Sequence, residues 1–181
     1  MKYDIETIRK NKTCWTHSDF VFFWGHTDRD AKLTKACLSQ WFSCYFEVEG
    51  QYYNCAEQFM MAEKARLFGD TETRDKILSE YNQMTIKKLG RQVINYDDEK
   101  WKAVRYDVVL KGNLAKFYQN TRLKQFLIDT GEKILVEASP KDTVWGIGMD
   151  EFHVDVTNPK KWQGTNLLGF ALMEVRDWLI I

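Results

Sequence analysis

Glu57 and Lys64 are the first residues in the chain whose types and spacing could do chemistry. They lie in the segment Tyr53–Ala65 and share one face of a predicted helix with Met61, at spacings of four and seven residues. A carboxylate and an ammonium on a largely apolar face are costly unless they are paired or used. A second interpretation is structural, because Asn54 at N-cap and Glu57 at N3 match a capping box. Spacing alone favours the cap.

Asp142 is the second candidate. It lies in the segment Glu137–Gly148, in a loop between a short strand and the turn Trp145-Gly146-Ile147-Gly148. Small residues in such a turn let the backbone approach a ligand closely. The alternative is a turn in which the Asp142 carboxylate accepts hydrogen bonds from its own backbone. Local features support both interpretations.

The third segment, Trp162–Gly169, opens the last predicted helix. A helix N-terminus offers unpaired amide groups to an anion. A plain cap by Thr165 or Asn166 explains the same residues equally well. This segment is therefore a weak indication of a site when taken alone.

Few strands are predicted to position these residues. Alternation of apolar and polar residues predicts a strand over Phe42–Val48, and Glu49-Gly50 then supplies a turn to a hairpin arm at Gln51–Tyr53. Apolar runs predict buried strands at Val21–Trp24 and Ile134–Ala138.

Helices dominate the remaining chain. In the longest, Trp101, Val104, Val108 and Ala115 predict one buried face, and Gly112 predicts an interruption. The pattern predicts an α+β fold, a helix-dominated single domain with a few short strands. The predicted helices run from Asn54 to Gly69, near 72–80, near 85–93, from Asp97 or Asp98, from Thr121 to Thr130, and from Thr165 or Asn166 onward.

Length and composition limit the possible classes. The 181 residues predict one domain over 1–181, with a core over about 18–181 and an N-terminal extension over 1–17. The 26 basic and 26 acidic residues balance, which argues against a general nucleic-acid binder. Four cysteines without C-x-x-C spacing and three scattered histidines predict free thiols and no metal site. With no apolar leader or membrane span, we expect a cytoplasmic protein.

Taken in order, the three segments join a longer series of motifs that covers nearly the whole chain. The motifs are Phe22-Phe23-Trp24-Gly25, Glu57 with Lys64-Ala65, Gly69-Asp70, Trp101 with Arg105, Lys116 to Asn120, Leu127, Thr130-Gly131, Glu137-Ala138-Ser139, Asp142, Trp145 to Gly148, Trp162 to Gly169 and Met173 to Arg176. This series resembles the NADAR family, also called YbiA-like proteins. No single motif is decisive, but their order is.

The resemblance implies a YbiA-like α+β fold and N-glycosidase activity without a metal or an organic cofactor. The implied substrates are small and nucleotide-like: riboflavin-pathway intermediates that carry ribose 5-phosphate on a pyrimidine amine, or ADP-ribosylated guanine in nucleic acid. The implied catalytic residues are Glu57, Asp142 and Lys64. The implied substrate-binding residues are Trp24, Gly25, Trp101, Arg105, Lys116, Asn120, Trp145, Gly146 and Asn166.

Two chemical routes suit these residues. Cleavage of a C1′–N bond places positive charge on the ribose, and carboxylates stabilise that charge and activate water. Alternatively, the amine of Lys64 forms a Schiff base with the ring-opened ribosylamine. Arg105, Lys116 or Asn120 would hold the phosphate. The sequence leaves both routes open.

The residues around Glu57 depart from the family pattern. Members commonly carry a small hydroxyl residue before the helix glutamate and a histidine after it, whereas this chain has Cys55, Ala56 and Gln58. The loop from His26 to Gln40 is also long and lysine-rich. The altered neighbours suggest an alternative function, a module that binds ADP-ribose or NAD without turnover. A purely structural role would leave the ordered series coincidental.

Overall fold

The structure is a computed structural model that describes residues 1–11, 14–27 and 32–180, so the His26–Gln40 loop lies partly outside the described residues. The chain divides into two compact units: Met1–Ser39 with Arg122–Ile181, and Gln40–Thr121. Helices dominate and the strands are short, which confirms the predicted α+β class. In chain order the elements are α1 (Ile5–Asn11), β1 (Phe20–Phe23), β2 (Phe46–Val48), β3 (Gln51–Tyr53), α2 (Ala56–Leu67), α3 (Thr71–Ser79), α4 (Gln83–Arg91), α5 (Asp98–Gln119), α6 (Thr121–Asp129), β4 (Ile134–Glu137) and α7 (Leu167–Ile180).

The first unit, called unit 1 below, is built on a two-stranded parallel sheet. β1 pairs with β4, so that Phe20 lies opposite Ile134 and Phe23 opposite Glu137. α7 packs along β4. Parallel strands are covered on both faces, which suits the apolar runs that predicted them. Candidate site residues follow both strands in the chain: Trp24 follows β1, and Asp142 lies in the loop after β4.

The N-terminal segment is part of unit 1, although the sequence predicted only an extension. The Arg9 guanidinium donates to the carbonyl oxygens of Pro159 and Trp162, both at 3.1 Å. The Tyr3 hydroxyl donates to Asp177 at 2.8 Å. α1 escaped prediction because its seven residues carry little apolar periodicity.

The second unit, called unit 2, begins with the β2–β3 hairpin. Glu49 and Gly50 both have positive φ, 53° and 81°, as the turn of a tight hairpin requires. The predicted strand over Phe42–Val48 is shorter, since β2 starts only at Phe46. The residues before β2 bond to the start of α2 instead, because the Gln40 carbonyl accepts from Glu57 N at 2.9 Å.

α2 packs against α3, α4 and α5 in unit 2. Gly112 does not interrupt α5; a Cβ there would lie 2.5 Å from Phe59 Cδ1, so the glycine allows α5 to approach α2 closely. Trp101 is buried as predicted, but Val104, Val108 and Ala115 are only half-buried. The buried face of α5 is rotated from the predicted one and consists of Trp101, Val109, Leu110, Gly112, Asn113, Lys116 and Phe117.

Among the described residues, no helix combines the length and the hydropathy needed to cross a membrane.

Candidate active site

Glu57 lies at the second position of α2, not at the third. The N-cap is Cys55, whose Sγ accepts from Gln58 N at 3.4 Å. Gln58 is therefore the N3 residue, and its Oε1 accepts from Asn54 N at 2.8 Å. The predicted capping box of Asn54 and Glu57 is wrong by one residue of register. Glu57 therefore does not have the capping role that the sequence predicted.

The Glu57 side chain is buried, with 3% of its surface exposed. It lies in the first turn of α2, where the helix dipole favours a negative charge. Its backbone N–H donates to the Gln40 carbonyl. A buried carboxylate at a helix N-terminus, without a capping task, is a suitable group for stabilising positive charge on a substrate.

Gln58, one of the residues that departs from the family pattern, has a structural task. Its side-chain amide donates to the carbonyl oxygens of Ile77 and Glu80, each at 2.9 Å. These bonds tie the start of α2 to the end of α3. With Cys55 as the cap, both departures serve the geometry of the helix that carries Glu57.

Lys64 lies two turns further along α2 and is half-buried. Its Nζ donates to the Gly90 carbonyl at 2.8 Å and lies 4.2 Å from the centroid of the Tyr96 ring. Burial lowers the pKa of Lys64, and the positive charge of Arg91 adds to this effect while Asp98 opposes it. An attack on a sugar would require the amine to leave both contacts.

The remaining candidates of unit 2 lie on α5. Arg105 is half-buried, while Lys116 is fully buried, with its Nζ 5.0 Å from the Phe117 ring centroid. The Asn120 amide donates to the Lys116 and Tyr45 carbonyl oxygens at 2.8 and 3.0 Å. Lys116 is thus buried, and the Asn120 amide at the end of α5 is bonded to two backbone carbonyl groups.

In unit 1, Trp24 and Gly25 directly follow β1. Trp24 is exposed, and Gly25 has a φ of 85°, which favours glycine. Asp142 Oδ1 accepts from the backbone N–H groups of Val144 and Trp145 at 2.9 and 2.8 Å. The turn interpretation of Asp142 is therefore correct for this oxygen. Any catalytic contact of Asp142 must use Oδ2.

The loop after β4 is closely packed on the segment before α7. A Cβ at Gly146 would lie 2.8 Å from the Glu137 carbonyl oxygen, so only glycine fits there. The Gly146 carbonyl accepts from Asn166 N at 3.1 Å, and the Trp145 carbonyl accepts from Leu168 N at 3.1 Å. Unit 1 thereby brings together Asp142, Trp145, Gly146 and Asn166.

Asn166 binds the backbone of β4 through both atoms of its side-chain amide. It is fully buried; its Oδ1 accepts from Glu137 N at 3.0 Å, and its Nδ2 donates to the Leu135 carbonyl at 2.9 Å. Its φ of 54° lies in the left-handed region, which asparagine tolerates better than most residues. Asn166 therefore holds β4 in position, and its implied contact with substrate stays a prediction.

Sequence reasoning missed two polar residues in unit 2. The buried Asn113 amide donates to Gln40 Oε1 at 2.8 Å and to the Val109 carbonyl at 2.9 Å. Gln40 thus bonds α5 through its side chain and Glu57 through its backbone. The one sequence signal for this pair of residues was Asn113, a polar residue three positions before Lys116 in a predicted helix. Within the described part of the chain, no three His, Cys, Asp or Glu residues cluster as metal ligands would.

Comparison with known proteins identifies the fold family. The model of the NADAR domain matches residues 22–180. The chain belongs to the NADAR family. The matched segment includes every candidate site residue, so the ordered motifs of the sequence are those of the NADAR domain.

Several relatives of the chain carry N-glycosidase names. The chain is 42% identical to the N-glycosidase R617 of Acanthamoeba polyphaga mimivirus, covering 87% of this chain and 95% of the relative. It is 30% identical to the N-glycosidase YbiA of Escherichia coli, over 75% and 76% of the two chains. The NMR structure of E. coli YbiA superposes with a TM-score of 0.70 at 25% identity, covering 96% of this chain and 92% of that one.

A third relative links the family to a pathway name. The chain is 30% identical to the riboflavin biosynthesis protein VVA0006 of Vibrio vulnificus over 78% of its length. It spans only 35% of that longer protein.

Proposed function

We propose that this protein is an N-glycosidase that hydrolyses the C1′–N bond of a phosphorylated ribosylamino compound. The observation that carries the proposal is Glu57, a buried carboxylate at the start of α2 that has no capping task. The N-glycosidase names of relatives that align with most of the chain support the same chemistry. Hydrolysis of an N-glycosyl bond makes the enzyme a hydrolase.

In the proposed reaction, the C1′–N bond breaks and its electron pair leaves with the nitrogen, which takes up a proton. The ribose carries the positive charge, which the Glu57 carboxylate stabilises. A water oxygen then bonds to C1′ and loses its proton, so the products are ribose 5-phosphate and a free amine. The Trp101 ring, which belongs to the same unit as Glu57, stacks on the departing base.

The water route fits the surroundings of Lys64 better than the Schiff-base route. The Lys64 ammonium donates to the Gly90 carbonyl and lies over the Tyr96 ring, so attack on C1′ would first cost both contacts. Borohydride distinguishes the routes, because it traps a Schiff base covalently. We expect no sugar adduct on Lys64 after borohydride treatment during turnover, and a Lys64 adduct would contradict the water route.

The substrate is tested by incubating the protein with the two ribosylaminopyrimidine phosphates and with ADP-ribosylated guanosine, free and within an oligonucleotide. Mass spectrometry detects ribose 5-phosphate or ADP-ribose as product. We expect release of ribose 5-phosphate from at least one pyrimidine substrate, unaffected by a chelator. Saturable binding of ADP-ribose without product from any compound would instead support the non-catalytic module.

The four free cysteines fit the expected cytoplasmic location.

A further inference from the structure

A line of hydrogen bonds within unit 2 connects the middle of α5 to the first turn of α2. Asn113 Nδ2 donates to Gln40 Oε1 at 2.8 Å, and the Gln40 carbonyl accepts from Glu57 N at 2.9 Å. Asn113 is fully buried, and Gln40 is 7% exposed. The backbone of the candidate catalytic residue is therefore held by two polar residues that are distant from it in the sequence.

The geometry of α5 fixes the orientation of the Asn113 amide. Asn113 Nδ2 also donates to the Val109 carbonyl, one turn earlier in α5, at 2.9 Å. A carbonyl oxygen only accepts hydrogen bonds, so the nitrogen of the amide, and not its oxygen, faces Val109. The same nitrogen donates to Gln40, whose side chain must present Oε1 to it. The orientation of the Gln40 side chain is thus fixed as well.

The oxygen of the Asn113 amide is left without a hydrogen bond. Oδ1 is buried, and it has no partner among the residues that the structure describes. A buried polar atom without a partner costs free energy, and an apolar side chain avoids this cost. The Val109 carbonyl does not require the side chain, because in an α-helix it also accepts from the backbone N–H four residues later. Stability alone therefore does not explain an asparagine here, and such departures are typical of functional sites.

The bond from Glu57 to Gln40 is one that α2 cannot supply itself. The N–H groups of the first turn of a helix have no partner within that helix. In α2, Gln58 N donates to Cys55 Sγ, and Glu57 N donates to the Gln40 carbonyl. Loss of the Gln40 carbonyl would leave the turn that carries Glu57 free to fray.

Close packing of the two helices makes α5 a suitable support for this turn. Gly112 precedes Asn113, and a Cβ at Gly112 would lie 2.5 Å from Phe59 Cδ1 of α2. Displacement of a catalytic group by about 1 Å can cost roughly 100-fold in rate. A carboxylate whose helix end is tied to a packed neighbouring helix avoids that loss.

We propose that Asn113 and Gln40 are positioning residues for Glu57. Asn113 fixes the Gln40 side chain on α5, and the Gln40 carbonyl fixes the first turn of α2 and thereby the Glu57 carboxylate. The effect on catalysis rests on the proposed function, whereas the effect on the Glu57 backbone requires no substrate. The positioning task also accounts for a buried amide that the fold retains with an unpartnered oxygen.

Amide hydrogen exchange measured by NMR tests the positioning without substrate. Asn113→Ala and Gln40→Met remove the same side-chain bond from its two sides, so the test does not depend on one variant folding. We expect the Glu57 N–H to exchange at least ~10-fold faster in each variant, with the amides of α3 and α4 unchanged. Gln119→Ala is the matched control, because the Gln119 amide joins α5 to Glu47 of β2, at 2.8 and 2.9 Å, and not to α2. Unchanged exchange at Glu57, or faster exchange throughout unit 2, overturns the proposal.

Kinetics with a confirmed substrate test the catalytic effect. Each variant should lower kcat at least ~10-fold and change KM less than about twofold, because substrate contacts remain. Asn113→Ala should change the unfolding equilibrium constant less than ~10-fold, since it removes the unpartnered oxygen together with the bond. In the Glu57→Gln background it should cause no further loss of kcat, because it acts only through that carboxylate.

Wild-type kcat in both variants, or a full further loss in the Glu57→Gln background, overturns the positioning role. If no compound is hydrolysed, the proposed function fails, and hydrogen exchange alone decides whether Asn113 and Gln40 position Glu57.

Discussion

Replacing Glu57 by glutamine should separate chemistry from folding in this protein. The change keeps the shape of the side chain and removes its charge. A group that acts on the proton or charge of the transition state contributes about two to four powers of ten in rate. We therefore expect Glu57→Gln to lose at least ~100-fold in turnover.

The same change should also lower the free energy of unfolding, and the burial of Glu57 sets the size of that loss. Glu57 is 3% exposed, so the change places a neutral amide where the fold buries a carboxylate. Loss of a hydrogen bond to a buried charged group costs about 1.5 to 3 kcal/mol. In a chain of this length each kcal/mol lowers Tm by about 2 to 4 °C, so the lower bound predicts a fall of roughly 3 to 6 °C.

Turnover is measured by mass spectrometry of the released sugar, at a temperature well below the Tm of each variant. Circular dichroism shows that each variant is folded at that temperature. Glu72→Gln on α3 is the control, because that carboxylate is 81% exposed and should change neither quantity.

Near wild-type turnover in folded Glu57→Gln would refute the assignment of α2 as the catalytic helix.

Three further experiments test hydrogen bonds, helix packing and burial in the structure. Asn166→Ala should cost about 1 to 4 kcal/mol in urea unfolding, because the buried Leu135 carbonyl and the part-buried Glu137 N–H of β4 lose their partners. A loss of substrate affinity at unchanged stability would instead support the ligand role. Gly112→Ala should cost about 1 to 3 kcal/mol through overlap with Phe59, and Phe59→Leu should recover part of it. At pH 8 a thiol reagent should modify exposed Cys14 and leave Cys55 intact, because burial raises the Cys55 pKa to about 12; mass mapping of rapid labelling at Cys55 would contradict this.

Much of the fold could be predicted because its signals are local. Caps and apolar spacing placed α3, α4, α5 and α6 within about two residues of their observed bounds, as expected for such signals. The Glu49-Gly50 turn and the run before Gly25 likewise predicted β1 and the hairpin. The order of motifs, which requires no knowledge of contacts, was sufficient to indicate the NADAR family.

The sequence by itself determined the helix-dominated α+β class, the family and the residue types available for chemistry, because periodicity, caps and motif order are written along the chain. Only the tertiary structure decided which of those residues are engaged. Asn166 is bound to Leu135, 31 positions away, and Asn113 to Gln40, 73 positions away. The start of α2 differs by one residue from the predicted start, and this difference depends on Gln58 bonding to the end of α3. Glu57 is therefore not the N3 residue of a capping box. Burial and long-range hydrogen bonds arise between segments far apart in sequence, so no local pattern contains them.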